Sequence, residues 1–246
     1  MAWTAQRTPG APCYRRILLK LSGEALMGVD AFGVNREVLA RIVSELKTIT
    51  AAGVQVGLVV GGGNFFRGAG AQAMERATAD YVGMLATVMN ALFLQEALER
   101  SETPAAVLSA LPVAGVVERY SQRAALAHLD SGRIVIFAAG TGSPYFSTDT
   151  AASLRALEIH ADILLKATKV DGVYSRDPVR YPDAVRYDVL SYDQVLEQRL
   201  GVMDATAIAL CRDQGLPVRV FNINKPGSLE RAVRGENEGT LVQRGD

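Results

Sequence analysis

The chain has 246 residues, 49% of them hydrophobic and 21% charged, with 26 basic against 26 acidic side chains. That length can bury a sizeable core as one large α/β domain or as two small lobes, and the apolar fraction excludes disorder for the bulk of the chain. A formal net charge of zero argues against a nucleic-acid wrapper, which needs a basic excess to displace counterions from phosphates. Local basic sites for small phosphorylated ligands stay open.

Residues 1–13, with Trp3, Arg7, Pro9, Gly10 and Pro12, contain no apolar signal-like segment. They read as a flexible extension ahead of a single domain at 14–246. Two cysteines, Cys13 and Cys211, and two histidines, His128 and His160, make neither a disulfide framework nor a zinc site. The richest apolar run, Val82–Leu98, is interrupted by Asn90, Gln95 and Glu96, so no uninterrupted run is long enough to span a bilayer. The expected address is the cytoplasm, with no membrane or nucleic-acid partner.

In chain order, an apolar run at Ile17–Leu21 predicts a strand, followed by a helix at Arg36–Ala52. A strand at Val54–Val60 precedes a long helix at Ala79–Arg100. Strands at Ala105–Leu108 and Ile134–Ala138 flank a helix at Gln122–Asp130. A helix at Thr150–His160 leads to a strand at Asp162–Ala167, and a helix at Ala205–Gln214 to a strand at Val218–Ile223. Strands that are apolar on both faces, alternating with amphipathic helices, predict an α/β fold: a mostly parallel central sheet sandwiched by helices. The stretch Asp171–Asp193 has no helical period and is a candidate for a nucleotide-side subregion.

Several of these strands run into similar chemistry. The first ends in Lys20-Leu21-Ser22-Gly23, the second in Gly61-Gly62-Gly63-Asn64, and later ones in Gly140-Thr141-Gly142-Ser143 and Lys166-Ala167-Thr168-Lys169. Ligands of open α/β sheets bind outside the carboxyl ends of the strands. Glycines there let backbone N–H groups approach an anion, and a following helix N-terminus adds a favourable dipole. Each loop alone reads better as a tight turn. Together, with Lys20, Arg67 and Lys166 nearby, they favour a polyphosphate site. No GxxxxGK[ST] loop is present, and neither a GxSxG elbow nor an activated cysteine supports nucleophilic catalysis. Gly68–Ala73 fits a loose G-x-G-x-x-A dinucleotide pattern, but it does not follow a strand directly.

The segments LKLSGEAL (19–26), GGGNFFRGAG (61–70), GMLATVMN (83–90), AGTGSPYFSTDTAA (139–152), LLKATKVDGVYSRDP (164–178) and VFNINKPGSL (220–229) together resemble the amino-acid kinase superfamily. Within it, they are similar to the bacterial UMP kinases, from about Tyr14 to Gln243. The resemblance implies an amino-acid kinase-like fold and ATP-dependent phosphorylation of UMP to UDP with Mg²⁺, in pyrimidine nucleotide biosynthesis. It also implies a homohexamer built from dimers, with part of the Ala79–Arg100 helix in an interface, GTP as activator and UTP as inhibitor.

Such a transfer brings two anions together, and the acceptor is already an oxyanion that needs no strong base. Catalysis is then in-line positioning and charge neutralisation. Lys20, ending a strand before a glycine turn, suits the donor β/γ-phosphates. By resemblance, Lys20, Leu21, Ser22, Gly23, Gly63 and Arg67 line the ATP phosphates, and Thr168, Tyr174 and Asp177 lie on the adenosine side. Gly62 and Asp80 take UMP, Asp80 holding ribose hydroxyls. Thr141, Gly142, Ser143, Pro144, Tyr145, Phe146, Ser147 and Thr148 wrap it. Asp149 and Asp204 each precede a helical run, where capping is the plain reading. The resemblance moves both to the reaction centre beside Lys20 and Lys166, orienting the lysines or the waters around Mg²⁺ without forming a protein metal cage. The loop Gly28, Val29, Asp30, Ala31, Phe32 and Gly33 looks like the region of GTP activation.

Two positions depart from the family pattern: Ser143 stands where asparagine is common, and Tyr145 where phenylalanine is. Loss of an amide at 143 removes one hydrogen bond to UMP, about 0.5–1.5 kcal/mol unless water replaces it. Three rival readings remain at this point: a kinase of small carboxylates or carbamate, a dinucleotide oxidoreductase using Gly68–Ala73, and a silent nucleotide sensor.

Overall fold

The structure, a computed structural model, describes residues 12–66 and 74–245. The expectations for residues 1–11, for Arg67 and for Gly68–Ala73 lie outside the described residues. The order of elements is β1 (Arg16–Leu21), a 3₁₀ turn (Gly23–Leu26), α1 (Arg36–Ala51), β2 (Gln55–Val60), α2 (Arg76–Arg100), β3 (Ala105–Ser109) and β4 (Glu118–Arg119). Then follow α3 (Gln122–Asp130), β5 (Ile134–Ala138), α4 (Thr148–Glu158), β6 (Ile163–Thr168) and β7 (Val189–Ser191). The chain closes with α5 (Tyr192–Glu197), α6 (Ala205–Gln214), β8 (Val218–Asn222), α7 (Ser228–Val233) and β9 (Thr240–Gln243).

Among the described residues the strands form one sheet in the order β4-β3-β5-β2-β1-β6-β8-β9-β7. All neighbours are parallel except β8 and β9. Strands β2 to β5 build outward on one side of β1, and the chain then crosses to place β6 on the other. This reversal opens a crevice beyond the carboxyl ends of β2, β1 and β6, where α/β sheets bind ligands.

Alternation along the strands divides the core. Ile17, Leu19 and Leu21 of β1 share one face with Leu58, Ile163 and Leu165, packed under Ile42 and Leu46 of α1 and Leu94 and Leu98 of α2. Leu18 of β1 shares the other with Val59, Phe137 and Leu164, under Leu129 of α3, Ala152 and Ala156 of α4 and Ile208 of α6. Each fully buried leucine here contributes about 1.5–3 kcal/mol. The period of two carries Lys20 onto the face of Leu18, and Lys166 onto the face of Leu164.

Helix limits follow from capping groups. Helix α2 begins at Arg76 rather than Ala79 because the Glu75 carboxylate accepts the Ala77 and Thr78 N–H groups. Helix α4 begins at Thr148 rather than Thr150 because Ser147 accepts from Asp149 and Thr150 N–H. It ends before His160, whose φ of +55° is left-handed. By length and composition alone α2 could cross a bilayer. In this fold its Met84, Val88, Ala91, Leu94 and Leu98 are buried in the core. Cys13 is tied down, its N–H donating to Val233 O at 2.9 Å and its thiol to Arg234 O at 2.8 Å.

Candidate active site

Lys20 and Lys166 are register partners on adjacent parallel strands, one residue short of the end of β1 and two short of the end of β6. Asp149, in the first turn of α4, sits between them: Lys20 Nζ lies 2.7 Å from its Oδ1 and Lys166 Nζ lies 2.7 Å from its Oδ2. Lys166 also donates to the Val202 carbonyl. Burial by itself would raise the Asp149 pKa, but the attraction of the two ammonium groups wins and holds the carboxyl below the usual carboxylate range. Burial lowers the pKa of Lys166, and repulsion by Lys20 adds to it. The pull of Asp149 offsets only part of that.

Asp204 joins this cluster through helix caps. It caps α6, accepting the Ala207 N–H at 3.0 Å. The Thr150 hydroxyl donates to it at 3.0 Å, and the Ser147 hydroxyl also donates to it. Ser147 in turn caps α4. The N-termini of α4 and α6 are thus locked to each other, and the lock fixes where Asp149 presents its carboxylate. The capping expected of both acids therefore holds for Asp204 alone; α4 is capped by Ser147, and Asp149, inside its first turn, turns its carboxylate to the two lysines.

Next to the lysines is a cavity of about 490 Å³ lined by Gly62, Gly63, Phe66, Met74, Arg76, Ala79, Asp80, Gly83, Met84, Thr87, Gly140, Thr141, Phe146, Ser147 and Thr148. That size is ordinary for a small-molecule site. Gly62 permits close approach of the β2 loop to α2: a Cβ there would lie 2.6 Å from Gly83 O and 2.9 Å from Ala86 Cβ. The β5–α4 loop turns back and forth through positive φ at Ala139, Gly140, Gly142 and Tyr145 (61°, 57°, 79° and 72°), an arrangement that suits anion-binding backbone concavities. The Thr87 hydroxyl accepts Ala139 N–H at 2.7 Å, and Asp80 Oδ2 accepts Tyr145 N–H at 2.7 Å. Arg76 Nε contacts Asp80 Oδ2 at 3.0 Å. A larger groove of about 740 Å³ between α1 and α2, with Leu39, Val43 and Phe93 in its lining, takes Val34 from the β1–α1 connection but none of the lysine or glycine segments at the sheet edge. The chemistry therefore points to the smaller cavity.

The structure thus gathers Lys20, Lys166, Asp149 and Asp204 at one point, and Gly62, Gly63, Asp80, Thr141, Phe146, Ser147 and Thr148 around the adjoining cavity. Gly63, expected on the ATP side, lines this cavity too. Gly142, Ser143, Pro144 and Tyr145 belong to the same loop but not to the lining. Ser143 N–H donates to Thr141 Oγ1 at 3.2 Å, and Tyr145 is exposed. On the donor side, Leu21 is buried and its carbonyl accepts Gly61 N–H at 2.9 Å. Ser22 Oγ caps the 3₁₀ turn, and Gly23 packs against Gly61 and Gly63. Thr168 ends β6, its hydroxyl donating to Val170 O at 2.8 Å. Beyond it, Tyr174 bridges Arg186, and Asp177 Oδ1 accepts Val179 N–H at 2.9 Å. Asp80 is engaged by protein groups, one carboxylate oxygen serving both Arg76 and Tyr145.

Sequence reasoning missed Arg76, Thr87 and the aromatic wall at Phe66. Arg76 stands four residues before Asp80, a spacing that pairs charges on a helix. Thr87 is a polar residue inside the apolar run.

A doubly wound sheet with lysines and glycine loops at its carboxyl edge defines a phosphate-handling α/β protein. The chain belongs to the amino acid kinase family, whose model matches residues 15–222. It is 58% identical over 242 residues to the uridylate kinase of Ectopseudomonas mendocina, covering 97% of this chain and 98% of that protein. It is also 58% identical over 236 residues to the uridylate kinase of Pseudomonas aeruginosa PAO1, covering 95% and 96%. Among solved structures, the UMP kinase from Bacillus anthracis superposes with a TM-score of 0.92 at 39% identity, covering 95% of this chain and 97% of that one. The uridylate kinase from Archaeoglobus fulgidus superposes with a TM-score of 0.72 at 30% identity, covering 92% and 99%.

Proposed function

We propose that this chain transfers the γ-phosphoryl group of ATP to UMP, giving ADP and UDP, as a step of pyrimidine nucleotide biosynthesis. The observation that carries the reading is the Lys20–Asp149–Lys166 cluster abutting the cavity whose wall includes Ser147 and Thr148. A UMP phosphate oxygen attacks the γ-phosphorus in line as the bond to the β–γ bridging oxygen breaks. The acceptor is already ionised, so the protein's task is positioning and charge neutralisation.

Lys20 and Lys166 supply two positive charges at the transfer point, and Asp149, bonded to both, holds them aimed. The N-terminus of α4 adds a favourable dipole toward an acceptor phosphate in the cavity. Arg67 and Arg76 are the arginines assigned to neutralise the phosphates. Asp80 and the 139–148 loop are assigned to UMP, and Thr168, Tyr174 and Asp177 to adenosine.

Mg²⁺ bound with ATP would neutralise donor charge and hold the phosphate chain's geometry. Asp149 and Asp204 are both engaged by protein donors, so they fit a metal held mainly by phosphate oxygens and water, with these carboxylates orienting the waters. The reading brings with it a homohexamer, GTP activation through Gly28–Gly33, UTP inhibition and a cytoplasmic address. The exposed side chains Tyr81, Leu85, Met89 and Phe93, repeating every fourth residue along α2, support burial of that face by another subunit.

A coupled assay of ADP release tests the reaction. Release that requires UMP and stops when a chelator withdraws the metal supports the assignment. Release independent of UMP, or dependent on a carboxylate acceptor instead, contradicts it.

A further inference from the structure

Two asparagines at the edge of the site are buried from solvent, Asn64 at 2% and Asn90 at 0% exposure. Asn90 lies in the middle of α2 among Ala86, Val88, Ala91 and Leu94, where an amide costs helix propensity and desolvation and has to be repaid by hydrogen bonds. The repayment is complete on the donor side. Asn90 Nδ2 donates to Gly61 O at 2.7 Å and to Asn64 Oδ1 at 2.7 Å. Asn64 Nδ2 donates to Asn90 Oδ1 at 2.8 Å and to Gly33 O at 2.9 Å. Both amides have each N–H used and each oxygen accepting, and Asn64 O also accepts Gly33 N–H at 3.1 Å.

The pair joins three segments that no strand or helix joins: the 28–33 loop, the glycine loop after β2, and α2. A fourth leans on it, since a Cβ at Gly23 would lie 2.5 Å from Asn64 Oδ1 and 2.6 Å from Gly61 O. The loop after β1 therefore rests directly on the amide. The same three segments meet again through rings. Phe32 meets Phe65 edge-on at 5.4 Å, and Phe65 stacks on Phe93 of α2 at 6.2 Å. Gly62 and Gly63, flanked by the tethered Gly61 and Asn64, line the acceptor cavity.

We infer that the Asn64–Asn90 amide pair is a positioning latch, holding the glycine loop at the geometry phosphoryl transfer requires and coupling it to the 28–33 loop. A satisfied buried network has one low-energy arrangement and several costly ones. The glycine loop, with no side chains of its own to fix it, borrows that uniqueness. Neither asparagine acts on substrate. Each acts through Gly61 and Gly33.

The test compares the parent with Asn90→Ser, Asn90→Leu and the double variant Asn64→Leu/Asn90→Leu. Removing one amide orphans the other, whereas removing both leaves an apolar pair and restores much of the thermal stability lost in Asn90→Leu. A latch predicts that the double variant stays at least about tenfold down in kcat, because the side-chain ties to the Gly33 and Gly61 carbonyls are still missing. It also predicts a rise in KM for UMP and little change in KM for ATP. Recovery of kcat and KM to within about twofold of the parent, together with recovery of stability, overturns the latch and leaves a packing role.

The kinetic arm rests on the proposed reaction, so amide hydrogen exchange provides an arm that does not. Loss of protection at residues 27–35 and 61–66 together in Asn90→Ser, with the sheet unchanged, is the expected result even if UMP proves not to be the acceptor. Unchanged protection, or loosening of only one segment, overturns the coupling.

Discussion

Lys20 and Lys166 stand side by side on adjacent strands, and each takes a different oxygen of the same Asp149 carboxylate at 2.7 Å. Two buried cations this close repel, and the shared carboxylate between them offsets that repulsion. On the proposed reaction, a polyphosphate would meet a preformed pair of positive charges whose spacing is set by the sheet register, with little reorganisation left to do. Asp149 is itself fixed by the cap that Ser147 and Asp204 form between α4 and α6.

Lys20→Ala removes one of the two charges and leaves the Asp149–Lys166 pair intact. Turnover is expected to fall by about 10²–10³, the usual cost of deleting one preorganised transition-state contact, while UMP binding by calorimetry stays near that of the parent. A near-normal rate would remove Lys20 from the mechanism.

Breaking the cluster from its centre has a different signature. Asp149→Asn leaves two lysines without their counter-charge and is expected to cost about 3–5 kcal/mol of folding stability, as loss of one partner of a buried pair does. Urea denaturation measures it. A change below about 1 kcal/mol, the range of exposed ion pairs, would mean the cluster is solvated.

The pH dependence has a definite sign. Lys166 has a folded-state pKa below its ordinary 10.5, so between the folded value and 10.5 the unfolded chain binds more protons and its contribution to stability rises with pH. Asp149, with a folded pKa below 3.8, contributes stability above that value and loses it as pH falls through the folded one. Lys166→Arg, which does not titrate, should lack the alkaline rise, so the stability gap between parent and variant changes with pH across that window. A constant gap would contradict the assignment. Activity of the parent should likewise fall on the alkaline side below the ordinary lysine range.

Asp80 holds the Tyr145 N–H and Arg76 at the cavity wall. Asp80→Asn weakens both contacts. With charge-assisted hydrogen bonds worth about 1.5–3 kcal/mol, KM for UMP should rise roughly 10- to 100-fold, with KM for ATP little changed. An effect confined to ATP would reverse the two sites.

Gly62→Ala tests the close approach of loop and helix. The added methyl meets Gly83 O and Ala86, both carried by α2, so accommodation shifts α2 or the loop. Overpacking of this kind costs about 1–3 kcal/mol, and here the acceptor cavity is expected to lose UMP affinity along with stability. Unchanged thermal unfolding would mean that the loop has slack.

The six strands expected from sequence all form because their Val, Ile and Leu runs are long and buried on both faces. Strands β4, β7 and β9 escaped, being only two, three and four residues long and ordered by pairing with neighbours rather than by their own pattern. The short helices α5 and α7 escaped for the same reason. Lys20 and Lys166 could be picked out as cations at the ends of apolar strands. Their sharing of one carboxylate could not, because the register of β1 with β6 and the rotation of α4 are tertiary facts. Arg76, Thr87, Asn64 and Asn90 read as ordinary polar residues until the fold placed them against particular backbone groups.

The most direct measurement is chromatographic product analysis after incubation with Mg²⁺–ATP and, separately, UMP, CMP, AMP and glutamate. UDP formed from UMP, with no phosphorylated product from the other three, is the expected result. No UDP from folded protein that binds ATP, or phosphorylation of glutamate in its place, would contradict the account at its centre.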